Sequence, residues 1–322
     1  MTTNMPITFS GIMDTKMGNW TFSYIEHNDS HAIHSEGSVY QPRYPGELII
    51  HSLIILICIL GVIGNGTVIR LLGFQIKRSC FTIFILNLAV ADSGTLISLF
   101  LCGILYIKTG DILIEIVECL VCNYCAGQLL LTIISIDRCL AIFFPIWYRC
   151  HQPPYLSTML CAITWIVSFF PCAIHYTLIS VTGIRNFRLF YYVFIYTTIC
   201  FPLMVVSSLA LFIKGYLTSQ MQKRGKLLTA ILLALFFFLL FSFPPIIVYL
   251  IDLISNGKYV NLFAYGYLSA SLNSSVNPLI YFLLGRKKEH NSMCNLKIIL
   301  QRVFKEEEEN EEQPEFQAGI QL

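Results

Sequence analysis

The chain has 322 residues, of which 56% are apolar and only 12% charged, with a mean hydropathy of +0.67. Soluble proteins run at roughly 45–50% apolar and about 25% charged, so a large soluble enzyme and a disordered scaffold are both excluded. The net charge of +2 supplies no basic field for nucleic acid.

Residues 1–47 form a polar tail without the apolar core of a signal peptide. It carries two sequons, Asn19-Trp20-Thr21 and Asn28-Asp29-Ser30, which predict glycans on an outward-facing segment. Two further matches, starting at Asn65 and Asn273, fall inside apolar segments where a glycan has no room.

Seven apolar segments follow, over residues 48–72, 81–107, 112–141, 155–179, 189–213, 227–251 and 259–284. Each exceeds the roughly 20 residues that span a ~30 Å hydrocarbon layer as a helix. The fourth to seventh contain no Asp, Glu, Lys or Arg, and none of the seven alternates with period two. Helices are therefore expected rather than an outer-membrane barrel. The expected fold is an all-α bundle of seven membrane-spanning helices. Fifteen of the Lys and Arg residues fall on one side of this arrangement and six on the other. The positive-inside rule then puts the C-terminus in the cytoplasm and the N-terminus outside.

After the seventh segment, Met293, Leu296, Ile299, Leu300, Val303 and Phe304 recur at three- and four-residue steps, flanked by Lys297, Arg302 and Lys305. Residues 285–305 are thus expected to form a short amphipathic eighth helix on the anionic inner leaflet, in contact with membrane lipids. Cys294 is a candidate for palmitoylation there. Residues 306–322 form an acidic cytoplasmic tail.

The 12 cysteines do not form a secreted disulfide framework. A pair among Cys102, Cys119 and Cys172 is close enough in expected depth to cross-link. The three-residue recurrence of Cys119, Cys122 and Cys125 points to packing rather than to a metal, since no His or carboxylate set converges at that depth.

A charged group at a helix centre costs about 2.5–3.5 kcal/mol on insertion scales, so polar residues inside these segments call for a partner or a task. They are Asn65 between Gly64 and Gly66, Asp92 in the second segment, and Asn273, Ser274, Ser275 and Asn277 beside Pro278 and Tyr281. One account makes them static inter-helix bonds. The other makes them a hydrated core with two arrangements, a switch to which Pro202, Pro244 and Pro278 contribute weak points. At the end of the third segment, Asp137 and Arg138 either neutralise each other or release the arginine to a cytoplasmic partner.

Gly64-Asn65, Leu88-Ala89-Val90-Ala91-Asp92, Asp137-Arg138-Cys139, Trp165, Pro202, Pro244 and Asn277-Pro278-Leu279-Ile280-Tyr281 occur in order, one set per segment. They resemble the helix signatures of rhodopsin-like G-protein-coupled receptors. Within that class Arg138-Cys139-Leu140, the stretch Phe144-Pro145-Ile146-Trp147-Tyr148-Arg149-Cys150 and Asn273-Ser274-Ser275 resemble the Mas-related receptors. The resemblance implies a multi-pass plasma-membrane receptor, not an enzyme and without a cofactor. It implies an extracellular peptide or small-molecule ligand, heterotrimeric G proteins as partners, and arrestin as a further one. Arg138 is implied to leave Asp137 on activation and meet the Gα subunit, with Asn277 and Tyr281 stabilising the active arrangement. Asp92, Asn273, Ser274 and Asn277 match a sodium cluster, from which Gly127 departs where a hydroxyl usually completes the site.

Other departures narrow what carries over. The usual disulfide from the third helix to the second outer loop is missing, and Ile179 and Arg185 replace an alternative bond seen in some members. Ser242 stands at the position of the common helix-six tryptophan, and Asp137 replaces a more usual glutamate. Leu120 stands where amine receptors carry an aspartate, and His175 and Leu189 where some Mas-related members carry acids. The lysine and arginine at 223, 224 and 226 leave helix six without an acid for Arg138, which predicts ligand-independent activity.

A ligand is expected between the outer halves of helices three to seven. Candidate contacts are Glu118 and Asp252, which alternatively face headgroups or water as Glu115 and Asp111 do, and His175, alternatively a hydrogen-bonded structural histidine. Tyr124, Phe243, Tyr265 and Tyr176 either line this cavity or pack. Competing classes are weaker. The seventh segment has no lysine for retinal, no repeat indicates a transporter, no continuous polar stripe indicates a channel, and no nucleophile–base set indicates a hydrolase.

Overall fold

The computed structural model describes residues 45–76, 79–110, 112–146, 148, 153, 155–182, 190–217, 225–255 and 262–285. Among them lie seven long helices: α1 (Pro45–Phe74), α2 (Cys80–Thr109), α3 (Ile114–Phe143), α4 (Leu156–Thr182), α5 (Phe190–Leu217), α6 (Gly225–Ser255) and α7 (Phe263–Gly285). Each covers one of the seven apolar segments. Five of them, α1 to α5, are long and apolar enough to cross a membrane, and α6 adds a shorter apolar run over Phe236–Val248. Asn19, Asn28, Asp111, Arg185, Leu189, Lys223, Arg224, Cys294 and the amphipathic segment beyond Gly285 lie outside the described residues, as does the side chain of Asp252.

Local chemistry sets the helix ends. Ser79 caps α2 reciprocally: its hydroxyl accepts from the Thr82 amide at 3.2 Å, and the Thr82 hydroxyl accepts from the Ser79 amide at 2.7 Å. α2 stops at Gly110, whose φ of 81° is a left-handed conformation that glycine adopts without a Cβ penalty.

The prolines within the helices show how backbone is satisfied where water is absent. A proline removes one amide, so the carbonyl four residues earlier loses its partner. Pro171, Pro245 and Pro278 thereby free the carbonyls of Val167, Phe241 and Ser274. The Tyr196 hydroxyl donates to Val167 at 2.7 Å, the Ser269 hydroxyl to Phe241 at 2.7 Å, and the Asn65 amide to Ser274 at 3.0 Å. Each bond joins two helices: α5 to α4, α7 to α6, and α1 to α7. A helix defect has become an inter-helix tie, as a membrane interior requires.

α3 sits at the centre, packed on α2, α4, α5 and α6, while α7 closes the bundle between α1 and α6 and also touches α2. The α1–α7 approach depends on glycine. A Cβ on Gly61 would stand 2.3 Å from the Ser275 hydroxyl, and one on Gly64 would stand 3.0 Å from Cβ of Pro278. The polarity of the whole is inverted relative to a soluble domain. Ile63, Ile166, Phe170, Val206 and Phe236 are exposed on the outside, whereas Asn65, Asp92, Gln128 and Asn277 are buried. Lipid in place of water makes the exposed face harmless and the buried polar groups informative.

The ten described cysteines are all free thiols. Cys102 neighbours Cys58 and Cys172 neighbours Cys122, and none of Cys102, Cys119 and Cys172 is joined in a disulfide. Among the described residues no group of three His, Cys, Asp or Glu side chains converges to hold a metal.

Candidate functional site

Three polar assemblies lie along α3 and its neighbours. At the C-terminal end of α3, Arg138 reaches back to Asp137, with Nε at 3.1 Å and Nη2 at 2.5 Å from Oδ2. Both side chains are about nine-tenths buried. The chain then leaves the helix through Phe144 and turns, the Tyr148 amide donating to the Phe144 carbonyl at 2.9 Å. That turn returns the Tyr148 hydroxyl to Asp137 Oδ1 at 2.8 Å, with Arg138 Nη2 3.5 Å away. The guanidinium also lies 4.2 Å from the ring centre of Phe81 on α2, a cation–π contact. Asp137 thus spends one oxygen on the arginine and the other on the phenol. Sequence reasoning found Asp137 and Arg138 but missed Tyr148 and Phe81. Tyr148 was visible as the aromatic centre of the Pro-Ile-Trp-Tyr-Arg-Cys stretch, yet only the turn brings it back to α3.

Further along the bundle, Asn277 donates to Asp92 Oδ2 at 2.8 Å, and the Ser274 hydroxyl also bonds this carboxylate. Asn65 holds the Ser274 carbonyl, so α1, α2 and α7 meet here. Asn273 is buried one turn earlier on α7, and Tyr281 is buried one turn later beside Ile280 and Pro278. The residues do not fit a resident sodium ion. Asn277 already occupies one oxygen of Asp92, and Gly127, whose Cβ would come within 3.7 Å of the other, offers no hydroxyl.

At the opposite end from Arg138, α3, α5, α6 and α7 diverge around a narrow cleft of about 60 Å³. Its wall includes Leu120, Tyr124, Phe194, Thr197, Ile246 and Tyr267. Among the described residues, Tyr124 is the one expected contact that lines it. Glu118 and His175 instead face each other, Oε1 to Nδ1 at 2.6 Å, and the His175 side chain is wholly buried. Phe243 is 49% exposed and lies edge-on to Phe201, with ring centres 4.8 Å apart. Tyr265 is 52% exposed, and Tyr176 also faces outward. The correction has one cause on both helices. A helix turns about 100° per residue, so Ser242 and Pro245 on α6, and Gly266 and Tyr267 on α7, face inward where Phe243 and Tyr265 do not.

The family model of the 7 transmembrane receptor (rhodopsin family) matches residues 64–281, from the glycine before Asn65 to Tyr281. Proto-oncogene Mas of Rattus norvegicus is 31% identical over 278 residues, covering 82% of this chain and 86% of that protein. Mas-related G-protein coupled receptor member D of Homo sapiens is 34% identical over 295 residues, covering 86% and 91%. The same receptor of Macaca fascicularis is 34% identical over 299 residues, again covering 86% and 91%.

The chain belongs to the rhodopsin family of seven-transmembrane receptors, in its Mas and Mas-related branch. As such it is a multi-pass membrane receptor that binds a ligand and signals through G proteins, and it is not an enzyme. The transporter and channel readings give way to this. All three assemblies fall within the matched stretch, and α3 of this Mas-related receptor contributes to the first and the third. Tyr124 at the cleft and Arg138 at the far end are 14 residues apart on one helix, roughly 21 Å at 1.5 Å per residue.

Proposed function

We propose that the protein works at the plasma membrane with its N-terminal tail outside, glycosylated at Asn19 and Asn28, and its C-terminal tail in the cytoplasm. Residues 48–284 form the signalling bundle. Residues 285–305 lie along the inner leaflet, with Cys294 as lipid attachment site, and 306–322 remain a solvated tail. A ligand enters the cleft at Tyr124 and shifts the polar seam of Asn65, Asp92, Asn273, Ser274 and Asn277. Pro244 and Pro278 mark where α6 and α7 give way, and Tyr281 settles into the space that opens. Arg138 then leaves Asp137 and meets the Gα subunit, and arrestin uses the same inner face afterwards.

The observation that carries this reading is the buried Asp137–Arg138–Tyr148 latch at one end of a helix whose other half lines the cleft. An ion pair with both partners satisfied is stable as it stands, and a two-state element needs such a resting state. Gα nucleotide exchange measured on the full chain in lipid nanodiscs is the test. Arg138→Ala is expected to reduce exchange to the level of empty discs. Exchange equal to wild type in that variant overturns the role given to Arg138.

A further inference from the structure

Cys122, Cys125 and Cys172 share one apolar cluster with Val121, Val193 and Tyr196, where α3 meets α4 and α5. A buried cysteine usually serves as a small hydrophobe, a role that Cys125 fits. Cys172 is placed more definitely. Its thiol donates to the Glu118 carbonyl at 3.7 Å, and in the four-residue ladder of α3 that carbonyl also accepts from the Cys122 amide. The Cys172 sulfur is thereby held at the turn of α3 that leads into Cys122, and the two thiols face each other. Val121 and Val193 belong to the cleft wall as well as to this cluster, so the pair lies directly behind the cleft.

A disulfide needs its sulfurs to close to about 2.05 Å, which is a side-chain movement when the thiols already face each other. We infer that Cys122 and Cys172 are a dithiol that hydrogen peroxide converts to a disulfide, tying α3 to α4 beside the cleft. Peroxide is small and uncharged, so apolar surroundings do not exclude it. Cys172 is 7% exposed and Cys122 3%, so Cys172 reacts first. Its sulfur attacks one peroxide oxygen, the O–O bond breaks, and one water leaves with a sulfenic acid on Cys172. The Cys122 sulfur then attacks the Cys172 sulfur, the S–OH bond breaks, and the hydroxyl departs with the Cys122 proton as a second water. Two thiols lose two electrons in all, and one peroxide becomes two waters. A neighbour already in place separates this pair from a lone buried thiol, which has nothing to trap the first product.

The test treats the full chain in lipid nanodiscs with hydrogen peroxide, alkylates the remaining thiols and maps the peptides by mass spectrometry. The expected product is one peptide pair joined through Cys122 and Cys172, lighter by two hydrogens and returned to free thiols by dithiothreitol. The thermal midpoint of the linked receptor is expected to rise by roughly 5 °C, and that rise is expected to be lost in Cys122→Ala and in Cys172→Ala. Midpoints before oxidation show whether the variants fold. In Cys122→Ala the sulfenic acid on Cys172 has no thiol to trap it, so dimedone is expected to label Cys172 there and not in wild type. Absence of the linked pair from oxidised wild type, a link from Cys172 to Cys119 or Cys125 in its place, or an equal midpoint rise in both folded variants overturns the inference. None of these measurements uses Gα exchange, so the disulfide and the signalling reading stand or fall separately.

Discussion

The two ends of α3 hold buried polar groups in opposite conditions. Near its C-terminus, Asp137 has a partner on each oxygen, and Arg138 has the carboxylate on one side and the face of Phe81 on another. Toward the cleft, Tyr124, Gln128 and Ser242 face one another with their capacity unspent. The first region is a closed latch, complete without any further molecule. The second carries the local cost of buried polar groups without partners. A receptor whose basal signalling is changed by a ligand needs a held end and a responsive end, with a stiff element between them.

Disturbing the satisfied end has the largest expected effect. Removing one partner of a buried ion pair costs about 3–5 kcal/mol, so Asp137→Asn weakens the hold on Arg138. Gα exchange without ligand is expected to rise by about fivefold or more, a population shift of roughly 1 kcal/mol. Unchanged basal exchange in a folded Asp137→Asn receptor would show that the latch is not what keeps it quiet.

Ties that satisfy proline-freed carbonyls come next. Asn65→Ala leaves the Ser274 carbonyl without its donor, a loss of about 1–3 kcal/mol. The thermal midpoint is expected to fall by roughly 5 °C, and a midpoint at the wild-type value contradicts the tie.

The unsatisfied end carries the smallest effect and the opposite sign. Ser242 is fully buried with no partner for its hydroxyl, and Ser242→Ala removes an unmet polar group while taking away little volume. The ligand-free receptor is expected to gain about 1 kcal/mol and roughly 2 °C in midpoint. A lower midpoint in Ser242→Ala would mean that the hydroxyl is already satisfied in the resting receptor, and the contrast between the two ends would collapse.

Particular residues show how far the sequence reached. Asp137, Arg138, Asp92, Asn277 and Asn65 stood out because each is polar within a long apolar segment, and polarity in lipid demands a reason whatever the neighbours are. Gln128 carries the same signal on α3, polar and buried in an apolar segment, without a neighbouring motif to mark it. Phe243 and Tyr265, read from the sequence as either lining the cleft or packing, face away from it. Depth along a helix follows from residue count, but the facing direction depends on how each helix is rotated against its neighbours, and one residue is enough to turn a side chain from cleft to lipid. Glu118 and His175 stand 57 positions apart in the sequence, and nothing local marks them as partners.

Seven spans, their order and the residues too polar to lie idle in a bilayer followed from the sequence alone, since hydrophobic length and the penalty for unpaired polar groups are local properties. The tertiary structure alone decided which polar groups are partnered and which are left open. Pairing depends on helix rotation and close approach, and these are set by small residues such as Gly61 and Gly64, by the carbonyls that Pro171, Pro245 and Pro278 release, and by the turn that returns Tyr148 to Asp137.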